Sequence, residues 1–252
     1  MNVFITGASS GIGEALAREF AARGARLGLV ARRAEALQAL IATLSGEHLA
    51  YGVDVTDSDA LIAAAGAFEQ AAGGTDIVIA NAGISVGVKT EHREDLRQFR
   101  RVFETNVLAL PATFHPFIAP MKVRGRGTLV GIASVAGIRG LPGSEAYCAS
   151  KSAVITYCES LRVDLAKSNV RVVTISPGFI RTPLTAENPY RMPFLMDADD
   201  FARKAVDSIL AGVRYRTIPW QMGCVSALLK VMPRWLFDRM TRRRKQKPRA
   251  LA

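Results

Sequence analysis

The chain has 252 residues, 49% of them hydrophobic and 22% charged, which is enough for one large α/β domain whose core needs no staples. Three cysteines in no paired spacing suggest neither a disulfide framework nor a zinc site, and they suit a reducing compartment. The net charge of +11 is gathered towards the end, where seven cations and no acid lie between Arg239 and Ala252; the charge alone would allow nucleic-acid binding, but no recognised module supports it and no nucleic-acid partner is expected.

The first strand pattern begins at Asn2, which leaves no room for a signal peptide ahead of it. No stretch reaches the roughly 20 apolar residues that a membrane span requires. Short runs rich in Val, Ile and Leu predict strands near 2–6, 26–31, 49–53, 76–80, 127–133 and 170–176. Between them, helical patterns run near 11–23, 33–45, 57–72, 94–118 and 145–168. This alternation predicts right-handed βαβ units, a doubly wound parallel sheet and helices on both faces. Beyond Pro177 the pattern changes. Gly178, Pro183, Pro189 and Pro193 predict an irregular, mobile segment. A helix near 197–211 follows, then a strand-like run around Thr217 and an apolar stretch at 222–241 with Arg and Lys interleaved.

Thr6-Gly7-Ala8-Ser9-Ser10-Gly11-Ile12-Gly13 falls between the first strand and the first helix. Glycines there let the backbone turn tightly and approach a pyrophosphate, and the helix beyond presents unpaired N–H groups to an anion. The spacing is Gly-x-x-x-Gly-x-Gly, not the commoner Gly-x-Gly-x-x-Gly. The second strand ends Ala31-Arg32-Arg33, with no carboxylate for a ribose 2′-hydroxyl and two guanidinium groups suited to a 2′-phosphate. That favours NADP(H), with Arg32 the better choice for the phosphate, since Arg33 can equally open the next helix as a solvated charge.

Tyr147 and Lys151 stand at i and i+4, on one face of a predicted helix. An ammonium beside a phenol lowers its pKa towards the range useful for proton transfer. Ser134 follows the fifth strand directly, at the carboxyl end where parallel sheets open their crevices, and can donate to an oxygen on which charge develops. His48, His92 and His115 are scattered without ligand spacing, so no metal is expected. Cys148, next to Tyr147, turns away from the Tyr face and reads as a packing residue.

Together these motifs resemble the short-chain dehydrogenase/reductase family in its classical form, over roughly residues 2–220. The resemblance implies a single-domain Rossmann-like fold and an NADP(H)-dependent oxidoreductase that interconverts a carbonyl and an alcohol. It implies Tyr147 as general acid/base, with Ser134, Lys151 and Asn106 completing the catalytic set. Asn106 would hold a relay water, and Tyr147 and Lys151 would also contact the cofactor, Lys151 at the nicotinamide ribose. The implied cofactor contacts are Gly7, Ser9, Ser10, Gly11, Ile12, Gly13, Arg32 and Arg33 at the phosphates, and Asp54 and Val55 at the adenine. Asn81, Ala82 and Gly83 follow the fourth strand, with Ala80 where the family usually has another Asn. As a bare residue, Asp54 reads equally as a helix cap. Pro177, Ile180 (through its backbone) and the Thr182 hydroxyl would lie near the carboxamide.

Residues 1–220 are thus expected to form the catalytic domain, with a lid near 183–196, and 221–252 an apolar and basic extension. Apolar lid residues point to a lipophilic substrate or, equally, to a loop packed on its own core. The extension reads as a lid, a subunit interface or a peripheral membrane contact. Family resemblance further implies a homo-dimer or homo-tetramer, while the few, unpaired cysteines point to the cytoplasm, with association at the membrane periphery left open by the extension. Two other readings are a non-catalytic NADP-binding redox sensor and a membrane-surface scaffold with a vestigial site.

Overall fold

The computed structural model describes residues 1–186, 188–242 and 245–249. Seven strands form one wholly parallel sheet: β1 (Asn2–Thr6), β2 (Arg26–Ala31), β3 (Leu49–Gly52), β4 (Ile77–Ala80), β5 (Gly127–Ile132), β6 (Val170–Pro177) and, further along the chain, β9 (Tyr215–Ile218). Their order is β3-β2-β1-β4-β5-β6-β9. The direction of winding reverses between β1 and β4, and such a switch point opens a crevice at the carboxyl ends of the strands.

Alternation along each strand divides the core in two. Val3, Ile5, Ile79, Ile132 and Ile175 point to one face, and Phe4, Val78, Leu129 and Val172 to the other. The first face is covered by α1 (Gly11–Ala22), α2 (Ala34–Ile41) and α8 (Ala198–Leu210). The second is covered by α3 (Ser58–Ala72), α5 (Ala109–Arg124) and α6 (Glu145–Asp164). Phe4 lies 5.6 Å from Phe68 and 5.1 Å from Phe117, ring centre to ring centre. Truncating so enclosed a ring costs about 3–5 kcal/mol, so this cluster is a main anchor of the second layer.

Three regions differ from the sequence expectation. The helix expected at 94–118 is α4 (Asp95–Phe103), a π-helical turn (Glu104–Leu108) and then α5. One residue too many for an α-helix is accommodated there, and Asn106 sits in the wide turn. The segment expected to be irregular after Pro177 contains β7 (Ile180–Arg181), α7 (Pro183–Ala186) and β8 (Met196–Asp197), and β7 pairs with β8 in a small parallel ribbon. The 222–241 stretch is two helices, α9 (Trp220–Val231) and α10 (Arg234–Thr241), parted by Pro233. Proline drives the residue before it out of the helical region, and Met232 has ψ 130°.

Candidate active site

The crevice at the switch point is a cleft of about 780 Å³. The glycine turn forms one end. Gly7 and Gly11 have φ of +67° and +59°, which side chains other than glycine rarely adopt. A side chain on Gly13 would press on the Gly7 carbonyl oxygen and come within 2.6 Å of Asn81 Nδ2. Asn81 Nδ2 donates to the carbonyls of Thr6 (3.0 Å) and Gly7 (3.2 Å). The backbone N–H groups of Asn81 and Ala82 donate to Thr6 Oγ1 at 3.1 and 3.2 Å. Sequence reading had missed Thr6 as a functional position: its hydroxyl ties the end of β1 to the end of β4 and so fixes the shape of the phosphate-sized cradle.

Ser9, Ser10, Ile12, Arg32, Arg33, Asp54, Val55, Ala82 and Gly83 line the same cleft, as do Ser134, Tyr147, Lys151, Pro177 and Thr182. Arg33 Nη2 lies 3.3 Å from both the carbonyl and the hydroxyl oxygen of Ser9. Arg33 is therefore more than the opening charge of α2: it reaches back onto the glycine turn beside Arg32. Asp54 Oδ1 accepts from the backbone N–H and the hydroxyl of Thr56, whereas the cap of α3 is Asp57, which accepts from Ala60 N. Ile180, expected at the cofactor, does not line the cleft: it is buried in the core, with its carbonyl accepting from Thr185 Oγ1 at 2.6 Å.

The other end of the cleft carries the ionisable groups. Ser134 caps the short helical turn Val135–Gly137, its Oγ accepting from Ala136 N at 3.1 Å. That turn rests on α6 at Lys151, so closely that a side chain on Gly137 would overlap the Lys151 backbone. The contact sets Ser134 beside Tyr147 on the wall of the cleft, near enough for its hydroxyl to act on the phenol. Burial pushes the Tyr147 phenol up to about 12, and the Ser134 hydroxyl draws it back in part. Lys151 Nζ donates to the Ile132 carbonyl at 2.8 Å and lies 6.0 Å from the Tyr147 ring centre. Burial lowers its ammonium to about 8. In this arrangement the Lys151 ammonium is turned to a backbone carbonyl, and burial is the larger influence on the Tyr147 phenol.

Asn106 does not line the large cleft. Its Oδ1 accepts from Ile84 N at 2.8 Å, and its Nδ2 donates to Ile84 O and Ser150 Oγ at 3.0 and 2.9 Å. It borders a void of about 10 Å³ shared with Thr6, Thr105 and Lys151. Ser150, fully buried, also donates to the Tyr147 carbonyl at 2.8 Å. This serine links the π-helical turn to the Tyr-Lys helix and was not singled out from the sequence, although its position one residue before Lys151 was a signal. Among the described residues no group of His, Cys, Asp and Glu is arranged to hold a metal ion.

The sequence profile of the short chain dehydrogenases matches residues 1–192. This chain belongs to that family. An uncharacterized oxidoreductase of Myxococcus xanthus is 42% identical over 246 residues, covering 95% of each chain. Among solved structures, a 3-ketoacyl-(acyl-carrier-protein) reductase from Brucella melitensis complexed with NADH superposes with a TM-score of 0.78 at 25% identity, over 86% of this chain and 96% of that one. The L-sorbose reductase of Gluconobacter frateurii, complexed with NADPH and L-sorbose, gives 0.76 at 26% identity, over 86% and 94%. This short-chain dehydrogenase is thus an oxidoreductase with a nicotinamide cofactor, and the glycine cradle and the cleft behind it fit such a group. No helix among its described residues is long and apolar enough to cross a membrane.

Proposed function

We propose that the chain is an NADP(H)-dependent reductase of a lipophilic ketone or aldehyde, working in reverse as an alcohol dehydrogenase. The observation that carries this reading is the Tyr147–Ser134 hydroxyl pair, with Lys151 behind it, in the same cleft as the glycine turn. Bound NADPH supplies the hydride. Gly7, Gly11 and Gly13 leave room for the pyrophosphate at the start of α1, and Ser9, Arg32 and Arg33 pair the 2′-phosphate. Asp54 and Val55 flank the adenine. Asn81, Ala82, Gly83, Pro177 and Thr182 form the wall that positions the nicotinamide half.

Ser134 Oγ and the Tyr147 hydroxyl hold the carbonyl oxygen of the substrate. As the carbonyl carbon gains hydride, the oxygen gains negative charge, and Tyr147 gives it a proton to leave the alcohol. A phenol near 12 remains fully protonated at neutral pH, which suits an acid in the reducing direction. The Lys151 ammonium stands behind the phenol and steadies the phenolate left when the proton has been given. The void bordered by Asn106 and Lys151 is close to the size one water needs, which supports Asn106 as the site of the relay water.

Leu184 lines the cleft, and Tyr190 beyond it packs its ring 6.4 Å from that of Phe179. Those neighbours favour an apolar substrate, with residues 1–220 as the catalytic domain and 183–196 as its lid. The exposed Leu108, Val123 and Val163 support a homo-dimer or homo-tetramer, and the undisulfided cysteines suit the cytoplasm. The test is NADPH and NADH oxidation with carbonyl substrates of graded chain length. Turnover should rise with apolar chain length and prefer NADPH. Faster turnover of short polar substrates would reject the lipophilic pocket, and no turnover across the series would reject the reductase.

A further inference from the structure

The α9–α10 unit carries an apolar face on the side away from the protein. Its inner side is firmly fixed. Met222 of α9 sits against Gly178, where a side chain would come within 2.7 Å of Met222 Cγ. Arg139 Nη1 donates to the carbonyls of Leu229 and Met232 at 3.0 Å each, and its guanidinium lies 4.4 Å from the Phe237 ring centre. Arg139 therefore satisfies the last carbonyls of α9 and clamps α10 at once.

The outer side has the opposite character from an ordinary surface helix. Trp220, Leu228, Val231, Trp235 and Met240 are 66%, 60%, 78%, 69% and 64% exposed. On α9, Trp220, exposed Cys224, Leu228 and Val231 recur at i, i+4, i+8 and i+11, which places them in one stripe. Ser226, by contrast, is buried on the inner side. Lys230, Arg234, Arg239, Arg242 and Lys245 of the same C-terminal segment are exposed as well. From residue 220 onward the sequence has nine Lys and Arg and a single acid, Asp238.

We propose that this face docks on a membrane surface rich in anionic headgroups. Tryptophan has an apolar body and a polar edge, and Arg and Lys have apolar stems under charged heads, so both settle at the headgroup–acyl boundary. A second copy of the chain is a poorer occupant. A two-fold interface brings a patch against itself, so this cationic surface would meet the same cationic surface. An anionic lipid layer reverses the sign of that interaction. Through Met222 the docked helix backs onto Gly178, which lines the cleft, so the cleft lies close to the layer in which a lipophilic carbonyl partitions. That last link rests on the proposed substrate class; the docking itself does not.

The experiment is flotation of the full-length protein with phosphatidylcholine vesicles and with vesicles containing about 30% phosphatidylglycerol, at low and high salt. The docking account expects binding to the anionic vesicles, a blue shift of tryptophan emission, and at least about tenfold weaker binding in high salt. A Val231→Ser/Trp235→Ser double variant alters two exposed residues and should keep its melting temperature. It should lose at least about tenfold in anionic-vesicle binding. Absence of wild-type binding would overturn the proposal, as would equal binding by the double variant, which would reduce the contact to charge alone. A wild-type dimer that the double variant converts to a monomer would assign the face to a second copy instead. None of these readouts needs turnover, so the result is independent of the reductase reading.

Discussion

The two ends of the cleft are built differently. At the glycine turn the shape comes from neighbours in one strand–turn–helix unit, tied through Thr6 to Asn81 at the end of the adjoining β4. At the mouth, segments far apart in sequence meet. Lys247 Nζ donates to Ser85 Oγ at 3.2 Å and to the Leu184 carbonyl at 3.1 Å, so the tail spans from the segment after β4 to α7. Gly87 N donates to the Pro248 carbonyl at 3.2 Å, and a side chain on Gly87 would come within 2.7 Å of Pro248 C. Arg249 grips buried Asp95 with two bonds, 2.7 and 3.0 Å, and reaches Glu94 at 2.9 Å. A glycine in the first region answers to its own turn, whereas Gly87 answers to a segment some 160 residues away.

This contrast breaks most sharply at Gly13. Gly13→Ala should distort the cradle and weaken cofactor binding by about a hundredfold, measured by fluorescence titration, because an added methyl meets rigid backbone. An alanine tolerated there without loss would show that the cradle is loose.

The same distinction governs what the sequence could disclose. The six leading strands, the glycine turn, Ser134, Tyr147 and Lys151 were legible because each rests on a local pattern of period 2, of i and i+4, or of a strand end. The π-helical turn at Asn106 was not, since an extra residue in a helix leaves the apolar period nearly intact. Nor was the tail's course over the cleft mouth, because Arg249 and Asp95 carry no signal of one another until the fold brings them together. Arg33 was undervalued because a charge at the start of a helix reads the same whether it is solvated or turned back onto Ser9.

A smaller effect is expected at the arginine pair. Arg32→Ala/Arg33→Ala should weaken NADPH by about 1.5–3 kcal/mol, roughly ten- to hundredfold, and leave NADH nearly unchanged. Equal losses for both cofactors would remove the 2′-phosphate assignment. Below that comes the pH dependence. With the Lys151 ammonium at about 8 and the Tyr147 phenol at about 12, kcat/KM for reduction should be flat below pH 8 and fall up to about tenfold per pH unit above it. A profile flat to pH 10 would deny Lys151 its charged role.

The smallest effect belongs to the tail. Arg249 holds the Asp95 carboxyl below its usual range, so the folded chain binds that proton less readily than the unfolded one. The ion pair's stabilisation is full above the ordinary carboxylate pKa and fades as pH falls through it and below. Arg249→Ala should therefore lower the melting temperature slightly at pH 7 and by less as the pH falls below the ordinary carboxylate range, and should expose the tail to limited proteolysis. An unchanged melting temperature and cleavage rate at pH 7 would mean that the tail is not held by this pair.

The central claim is that Tyr147 delivers the proton at a cleft whose cofactor end is independent of it. The direct test is single-turnover oxidation of bound NADPH by a lipophilic ketone in the wild type and in Tyr147→Phe, with cofactor affinity measured on the same samples. The account expects equal NADPH affinity and a rate at least about a hundredfold lower in the variant. Equal rates would contradict it.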